Sequence, residues 1–268
     1  MNEEEKMSYI AGIIDGDGSL SLMRKCEVKA KSPSYYPSIQ FSKSREVLPQ
    51  YLHSLFGGSF FSDKREGKIK QFRWRVEKND KVSIVLANIV DHMIIKKDQA
   101  KKLLEFAENF QFKRGISLTK EDLVNREMYY LSMRELNAKR DRTTKLTRKI
   151  CLSSTNDNVI WAYISGLLDT DGSFSIRREK HKTKNMSYSP IISLSLINSA
   201  ALNFIKENVA EGSVRIVKAP ATKQGFVYRW TVFSRPDCVF ILNKVLPYLR
   251  NKKESAAILL EFCKGFIA

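Results

Sequence analysis

Ile10-Ala11-Gly12-Ile13-Ile14-Asp15-Gly16-Asp17-Gly18-Ser19-Leu20-Ser21 returns, later in the chain, as Ile164-Ser165-Gly166-Leu167-Leu168-Asp169-Thr170-Asp171-Gly172-Ser173-Phe174-Ser175. The second acids of the two copies stand 171 − 17 = 154 residues apart in a chain of 268, so the two halves read as copies of one unit. A short match can arise by chance, and more distant matches decide the matter. Phe72-Arg73-Trp74 recurs as Tyr228-Arg229-Trp230, and Leu103-Leu104-Glu105-Phe106 as Leu259-Leu260-Glu261-Phe262, both at an offset of 156. Insertions between the start and these points therefore net two residues, and an internal repeat of this kind is a signal about the whole fold.

Each quoted stretch changes periodicity in the middle. Ser8 reads as a cap for a helix carrying Ile10, Ile13 and Ile14, which ends at Asp15-Gly16-Asp17-Gly18. Alternation follows: Leu20 and Leu22 face one side of a strand, while Ser19, Ser21, Met23 and Lys25 face the other. A second strand sets Ser38 and Gln40 against Ile39 and Phe41. Patterning then predicts a helix over 45–56, strands over 59–64 and 70–77, and helices over 81–92 and 98–110. The second half repeats the order. The expected fold is α+β: two pseudo-twofold-related units, each with a four-stranded antiparallel sheet that has one face under helices and one face open.

The expected boundaries are 1–118 for the first unit, 119–158 for a joining segment and 159–268 for the second unit. In the joining segment Thr119-Lys120-Glu121-Asp122 reads as a capped start of a helix reaching about 137. A basic stretch with Lys139, Arg140, Arg142, Lys145, Arg148 and Lys149 follows.

Lysine and arginine number 46 against 29 acids, a net charge of +17 distributed over both halves. A surplus of that size points to a polyanionic partner, nucleic acid before an acidic membrane surface. No run of eighteen apolar residues is present, and Met-Asn-Glu-Glu-Glu-Lys lacks the layout of a secretory signal, so the expectation is a soluble intracellular protein. Cys26, Cys151, Cys238 and Cys263 are scattered, and there are only three histidines, His53, His92 and His181. Zinc and disulfide frameworks are therefore not indicated, and the cysteines read as small apolar side chains.

With that charge, the open sheet faces become candidates for a DNA groove. Strand parity nominates Ser21, Met23, Lys25, Ser38, Gln40, Arg73 and Arg75 in the first half. In the second it nominates Ser175, Arg177, Ser193, Ser195, Arg215, Arg229 and Thr231. The same alternation would describe a solvated face in a protein of ordinary charge.

Gly12 and Gly16 inside a helix each cost about 1 kcal/mol relative to alanine. Close packing of Ala11, Gly12 and Gly16 on Ser165, Gly166 and Thr170 would offset that cost. Such packing would bring Asp17 and Asp171 together, and two adjacent carboxylates repel unless a cation lies between them. Hard oxygen donors of this kind favour Mg²⁺, which retains waters and binds phosphate oxygens, a setting for metal-assisted phosphodiester hydrolysis. An EF-hand starts with the same letters but needs glycine sixth and glutamate twelfth; those places hold Leu20 and Cys26 in one copy, Phe174 and Lys180 in the other.

IAGIIDGDG and ISGLLDTDG, each continued by Ser-x-Ser, resemble the motif of the monomeric LAGLIDADG homing endonucleases, over nearly the whole chain. The resemblance implies a duplicated αββαββα unit whose two sheets form a DNA-binding saddle and read adjacent major grooves. It also implies cleavage of both strands of a long asymmetric target across the minor groove. Two or three divalent ions are implied at the interface of the units, Mg²⁺ in function, with Mn²⁺ or Ca²⁺ as substitutes in crystals. The metal-binding acids fall on Asp17 and Asp171, with main-chain carbonyls of Gly16 and Thr170 as further ligands, while Asp15 and Asp169 are structural. An assisting basic residue falls on Lys96 and on Lys252, at an offset of 156, with Lys97 and Lys253 one position on. A polar position after the second strand falls on Lys43 and Asn198. The implied protein is a monomer on double-stranded DNA. Some relatives act on intron RNA as maturases, and a non-cleaving DNA-binding regulator on the same fold would be expected to have lost one acid.

Overall fold

The first helix begins before its apolar residues do. The computed structural model describes residues 1–26, 32–64, 66–67, 69–110, 118–138, 156–180, 186–218 and 226–265, and α1 spans Glu3–Asp17. Asn2 caps it: the Glu5 amide donates to the Asn2 side-chain oxygen at 2.8 Å, and the Asn2 amide donates to the Glu5 carboxyl at 3.0 Å. Ser8 is not the cap. It lies fully buried within the helix and donates its hydroxyl to the carbonyl of Val159 at 2.7 Å. A serine ahead of an apolar run looks the same whether it caps the run or continues it, and the true capping box lies outside the apolar pattern.

The remaining elements follow the expected order. β1 (Ser19–Lys25), β2 (Ser34–Lys43), α2 (Val47–Phe56), β3 (Ser59–Asp63) and β4 (Gln71–Val76) precede α3 (Asn79–Ile89), a 3₁₀ turn at Val90–His92, and α4 (Lys97–Asn109). The joining helix α5 (Lys120–Ala138) carries the expected capping box, with 3.0 Å bonds from the Asp122 amide to the Thr119 hydroxyl and from the Thr119 amide to the Asp122 carboxyl. Then come α6 (Asp157–Asp171), β5 (Gly172–Lys180), β6 (Met186–Leu196), α7 (Ser199–Asn208), β7 (Ser213–Lys218), β8 (Phe226–Val232), α8 (Arg235–Val245) and α9 (Lys253–Gly265).

The strands form two four-stranded antiparallel sheets of identical topology, β1-β2-β4-β3 and β5-β6-β8-β7. The recurrence at an offset of 156 is visible in three dimensions. Trp74 lies opposite Phe41 and Trp230 opposite Leu194; both indoles are buried, and each donates its N–H to a carbonyl, that of Gly57 at 2.7 Å and that of Glu211 at 3.1 Å. A fully buried indole needs such a partner. Gly212 makes the approach feasible: its φ of +90° is open to glycine, and a Cβ there would stand 2.5 Å from Trp230 Nε1.

The chain divides into two compact units, Met1–Gly16 with Asp141–Ala268, and Asp17–Arg140. The repeat and the packing therefore part company at α1, which belongs to the first copy by sequence and packs in the unit of the second. In that unit Tyr9, Ile10, Ile13 and Ile14 are as fully buried as Tyr163, Ile164, Leu167 and Leu168. Helices apolar on every side are core helices. Their closeness is set by glycine: a Cβ on Gly12 would lie 2.2 Å from the Tyr163 carbonyl oxygen, and one on Gly166 would lie 2.2 Å from that of Tyr9. In the other unit α5 packs on β1, with the Asn137 side chain donating to the Leu20 carbonyl at 3.0 Å and Glu127 accepting from the Tyr35 hydroxyl.

The basic stretch with Lys139, Arg140, Arg142, Lys145, Arg148 and Lys149 lies outside the described residues, as do Cys151 and His181. Cys238 and Cys263 are buried apolar side chains, and burial pushes the Cys238 thiol up to about 12. Cys26 departs from that reading, because it is exposed just past the end of β1. Among the described residues no helix is long and apolar enough to cross a membrane.

Gly12→Ala and Gly166→Ala are each expected to destabilise the protein by about 1–3 kcal/mol or more, since an added methyl drives backbone from backbone. Gly265→Ala, where a Cβ meets nothing within 4 Å, is the neutral control. Calorimetry should show a lowered Tm for the first two only.

Candidate active site

Each helix carrying an acid at its tip runs straight into a sheet. α1 ends on Asp17 two residues before β1 begins, and α6 ends on Asp171 immediately before β5. A helix C-terminus concentrates unpaired carbonyls and the negative end of the helix dipole, so a cation is favoured there before any side chain is considered.

At Asp17 that cation is Lys43, the last residue of β2, whose ammonium forms an ion pair with the Asp17 carboxylate. Both side chains are half-buried. At the end of α6 the cation is Lys252. Its ammonium donates to the carbonyls of Leu168 at 3.0 Å, Thr170 at 2.9 Å and Gly172 at 2.5 Å. Lys253 is exposed, so in this unit the position that meets α6 is Lys252. Lys96 is half-buried just ahead of α4, where its carbonyl accepts from the Ala100 amide at 2.8 Å. Lys97 donates to the Asp91 carbonyl at 3.2 Å.

Thr170 is buried, and its hydroxyl donates to the carbonyls of Leu167 at 2.8 Å and Gly166 at 3.3 Å. Gly16 is held against it, with a hypothetical Cβ only 2.1 Å from Thr170 Oγ1. Asp171 is half-buried at the helix tip. Among the described residues there is no group of three or more His, Cys, Asp or Glu that could hold a metal on side chains alone. At either helix tip a divalent ion would have to rest on one carboxylate, that of Asp17 or that of Asp171, and on a neighbouring main-chain carbonyl, that of Gly16 or of Thr170, completed by water and substrate oxygens. Hard oxygen donors that already draw ammonium groups fit such an ion.

The first acid of each motif is buried and serves the scaffold. Asp169 accepts from the Tyr9 hydroxyl at 2.6 Å and from the amides of Arg250 at 2.6 Å and Lys252 at 2.8 Å. Asp15 accepts from the Tyr163 hydroxyl at 2.8 Å. The bonds are reciprocal: each helix offers a tyrosine to the other helix's acid. Burial, and then the neighbouring Asp15 carboxyl, hold the Tyr163 phenol well above its ordinary value, so it remains a donor. Sequence reasoning passed over these tyrosines, although 163 − 9 = 154 is the motif offset.

Lys43 and Asn198 are not equivalent. Lys43 pairs with Phe72 and Leu196 with Tyr228; since Phe72 and Tyr228 are repeat partners, the counterpart of Lys43 is the buried Leu196. Asn198 instead caps α7, accepting from the Ala200 amide at 2.7 Å. The second strands are offset by 196 − 43 = 153, a value that interpolation between 154 and 156 cannot produce, because the loop joining the first two strands takes up the difference.

The register places the nominated sheet residues on the open faces. Ser21 faces Ser38, Gln40 faces Arg75, and Arg73 faces Ser42. Met23 and Lys25 are exposed at the far end of β1. Ser38 has the right parity but is fully buried on an interior strand, where its short side chain accepts from Gln40 Nε2 at 3.1 Å; it presents nothing to a partner. Arg73 pairs with Asp63 at 3.3 Å, and Arg75 pairs with Glu77 at 3.4 Å. In the other unit Ser193 faces Thr231, Ser195 faces Arg229, and Arg215 also faces Arg229. Ser175 is exposed on β5, and Arg177 pairs with Glu179.

No protein-family model matches the chain, and no curated protein matches it by sequence. Solved structures do. The meganuclease I-SmaMI bound to uncleavable DNA aligns over 97% of this chain and 90% of its own, at 17% identity and a TM-score of 0.68. The LAGLIDADG homing endonuclease I-LtrWI bound to target DNA aligns over 99% and 92%, at 14% identity and a TM-score of 0.70. I-SmaMI on uncleaved target in the presence of calcium ions aligns over 97% and 92%, at 15% identity and a TM-score of 0.65. The chain has the fold of these proteins.

Tyr9→Phe removes one of the three donors to the buried Asp169 and is expected to cost about 1–3 kcal/mol. Urea denaturation at pH 7 measures it, and a midpoint equal to that of the parent would show that the bond contributes nothing.

Proposed function

We propose that this chain is a site-specific double-strand DNA endonuclease of the LAGLIDADG kind, acting as a monomer on a long asymmetric target with Mg²⁺. The observation that carries the reading is the twofold recurrence of one arrangement. An acid sits at a cation-seeking helix tip, and the helix leads into a four-stranded sheet whose open face holds arginines and hydroxyls. One such arrangement would suit many proteins. Two in one chain suit a duplex, which has two strands to cut and two half-sites to hold.

In this reading Asp17 and Asp171 would each hold a divalent ion, assisted by the Gly16 and Thr170 carbonyls, and each would serve one strand. Bound Mg²⁺ would supply an activated water and charge stabilisation on the leaving oxygen. The protein's own groups prepare the place. Lys43 neutralises the Asp17 charge, so an approaching phosphate meets no bare carboxylate. Lys252, through three carbonyls, fixes the end of α6 and so the direction in which Asp171 leaves the helix. Lys96 would serve the corresponding place ahead of α4. The Asp15 and Asp169 bonds to tyrosines keep both helices rigid, which a reaction dependent on positioning requires. Asn198 caps α7, so its side-chain oxygen is engaged by the Ala200 amide.

Asp17→Asn and Asp171→Asn each keep the shape of the side chain and remove its charge. Loss of several kcal/mol of metal-dependent stabilisation corresponds to about 10³-fold or more in rate. A plasmid bearing the target and Mg²⁺ should be linearised by the parent and by neither variant, while gel shift shows DNA still bound; EDTA should reproduce the variants' behaviour. Linearisation by Asp171→Asn at the parent's rate would refute the assignment. Binding should also weaken steeply with salt: six to ten phosphate contacts correspond to a loss of about 10³–10⁵ in affinity between 50 and 200 mM. Titrations at those two concentrations measure the slope, and a flat response would refute a phosphate-borne interface.

A further inference from the structure

The arginines of the two open sheet faces fall into two groups. Arg73, Arg75 and Arg177 each have a carboxylate partner, in Asp63, Glu77 and Glu179 respectively. Arg215 and Arg229 have none among the described residues, and they are direct cross-strand partners on β7 and β8, both exposed. From Ser213 to Val232 the sequence contains Arg215, Lys218, Lys223 and Arg229 and not one Asp or Glu. Like charges placed directly opposite on a sheet are destabilising, and no acid within the ribbon relieves them.

The two guanidiniums are not equally placed. β8 is an interior strand, between β6 and β7, whereas β7 is the edge. Arg229 is also held: its Nε donates to the Ser195 hydroxyl at 3.0 Å. That bond orients the guanidinium, and among the described residues neither Nη group has a hydrogen-bond partner, which leaves a two-pronged donor fork. Ser193, Ser195 and Thr231 around it are short hydroxyl side chains, so Arg229 is the long reaching group on the middle of this face.

We propose that Arg229, braced by Ser195 and repelled by Arg215, reads a guanine in the major groove of the half-site held by the sheet β5-β6-β8-β7. The inference rests on the DNA-binding reading above. The O6 and N7 of guanine are the acceptor pair that matches an arginine fork. A phosphate would be served by any unbraced cation at the edge of the sheet; an interior strand and a fixed Nε are what a base edge requires. The negative potential of the groove would also remove the repulsion between Arg215 and Arg229, so binding and relief of strain coincide.

The test selects sequences from a randomised duplex library with the full chain, in Ca²⁺ so that binding is read without cutting. The parent should enrich sequences with one near-invariant guanine in one half-site. Arg229→Ala should lose the preference at that position alone, by about 5- to 150-fold in base discrimination, with the other positions unchanged. Arg229→Lys keeps the charge and removes the fork; it should lose the guanine preference and keep the salt slope. Ser195→Ala should weaken the same preference. In the free protein, Arg215→Ser should raise Tm at low salt, by an amount that vanishes at high salt. An Arg229→Ala selection identical to the parent's overturns the proposal. So does a uniform loss across all sequences with a shallower salt slope, which would make Arg229 a phosphate contact. A fall in Tm for Arg215→Ser removes its premise. If the parent binds duplex but enriches no sequence, guanine reading fails while DNA binding stands; if it binds no duplex, the endonuclease reading itself has failed.

Discussion

The contact on which the rest depends is backbone against backbone at Gly12 and Gly166. Neither residue has room for a methyl group, since each would drive its Cβ to 2.2 Å from a carbonyl oxygen of the opposite helix. That closeness brings Tyr9 within reach of Asp169 and Tyr163 within reach of Asp15, so two buried acids find donors they could not find at an ordinary helix separation. Asp169 in turn gathers the amides of Arg250 and Lys252, placing the Lys252 ammonium over the last carbonyls of α6. A chain of interactions thus runs from two glycines to the helix tip that bears Asp171.

The duplication is imperfect in an informative way. The scaffold features agree between copies: tyrosine to acid, tryptophan to carbonyl, and strand order. The features that would face a substrate differ. Lys43 has a buried leucine as its counterpart. Three of the open-face arginines carry carboxylate partners, while Arg215 and Arg229, which face each other, have none among the described residues. Packing penalises divergence at every buried position, and an exposed face carries no such penalty.

Some parts of the site could be read from the sequence and others could not. The places of Asp17 and Asp171 at the ends of two helices were legible because the motif repeats in the same helix-to-strand setting. Strand parity was legible wherever apolar and polar residues alternate, and it placed thirteen of the fourteen nominated face residues on accessible positions. Ser38 failed because parity reports which side a residue faces and says nothing of what lies over it. Asn198 was matched to Lys43 by its place after the second strand, whereas the pairing of the strands sets Leu196 there; register, a property of two strands, does not travel along one. Ser8 failed because capping depends on a backbone geometry that a hydroxyl alone does not specify.

By itself, the sequence determined that the chain is a doubled unit, that each half alternates helix and strand in one order, that two acids close two glycine-bearing helices, and that the surface is strongly basic. These are consequences of covalent order, periodicity and composition, which act locally and survive without knowledge of neighbours. Tertiary structure decided that α1 packs in the unit of the other half, that Lys43 meets Asp17, that Lys252 meets three carbonyls, and which arginines have acids beside them. Each of these joins residues distant in sequence through a separation of a few ångströms. Separations of that size are fixed by how side chains fill the core, and only the folded chain supplies them.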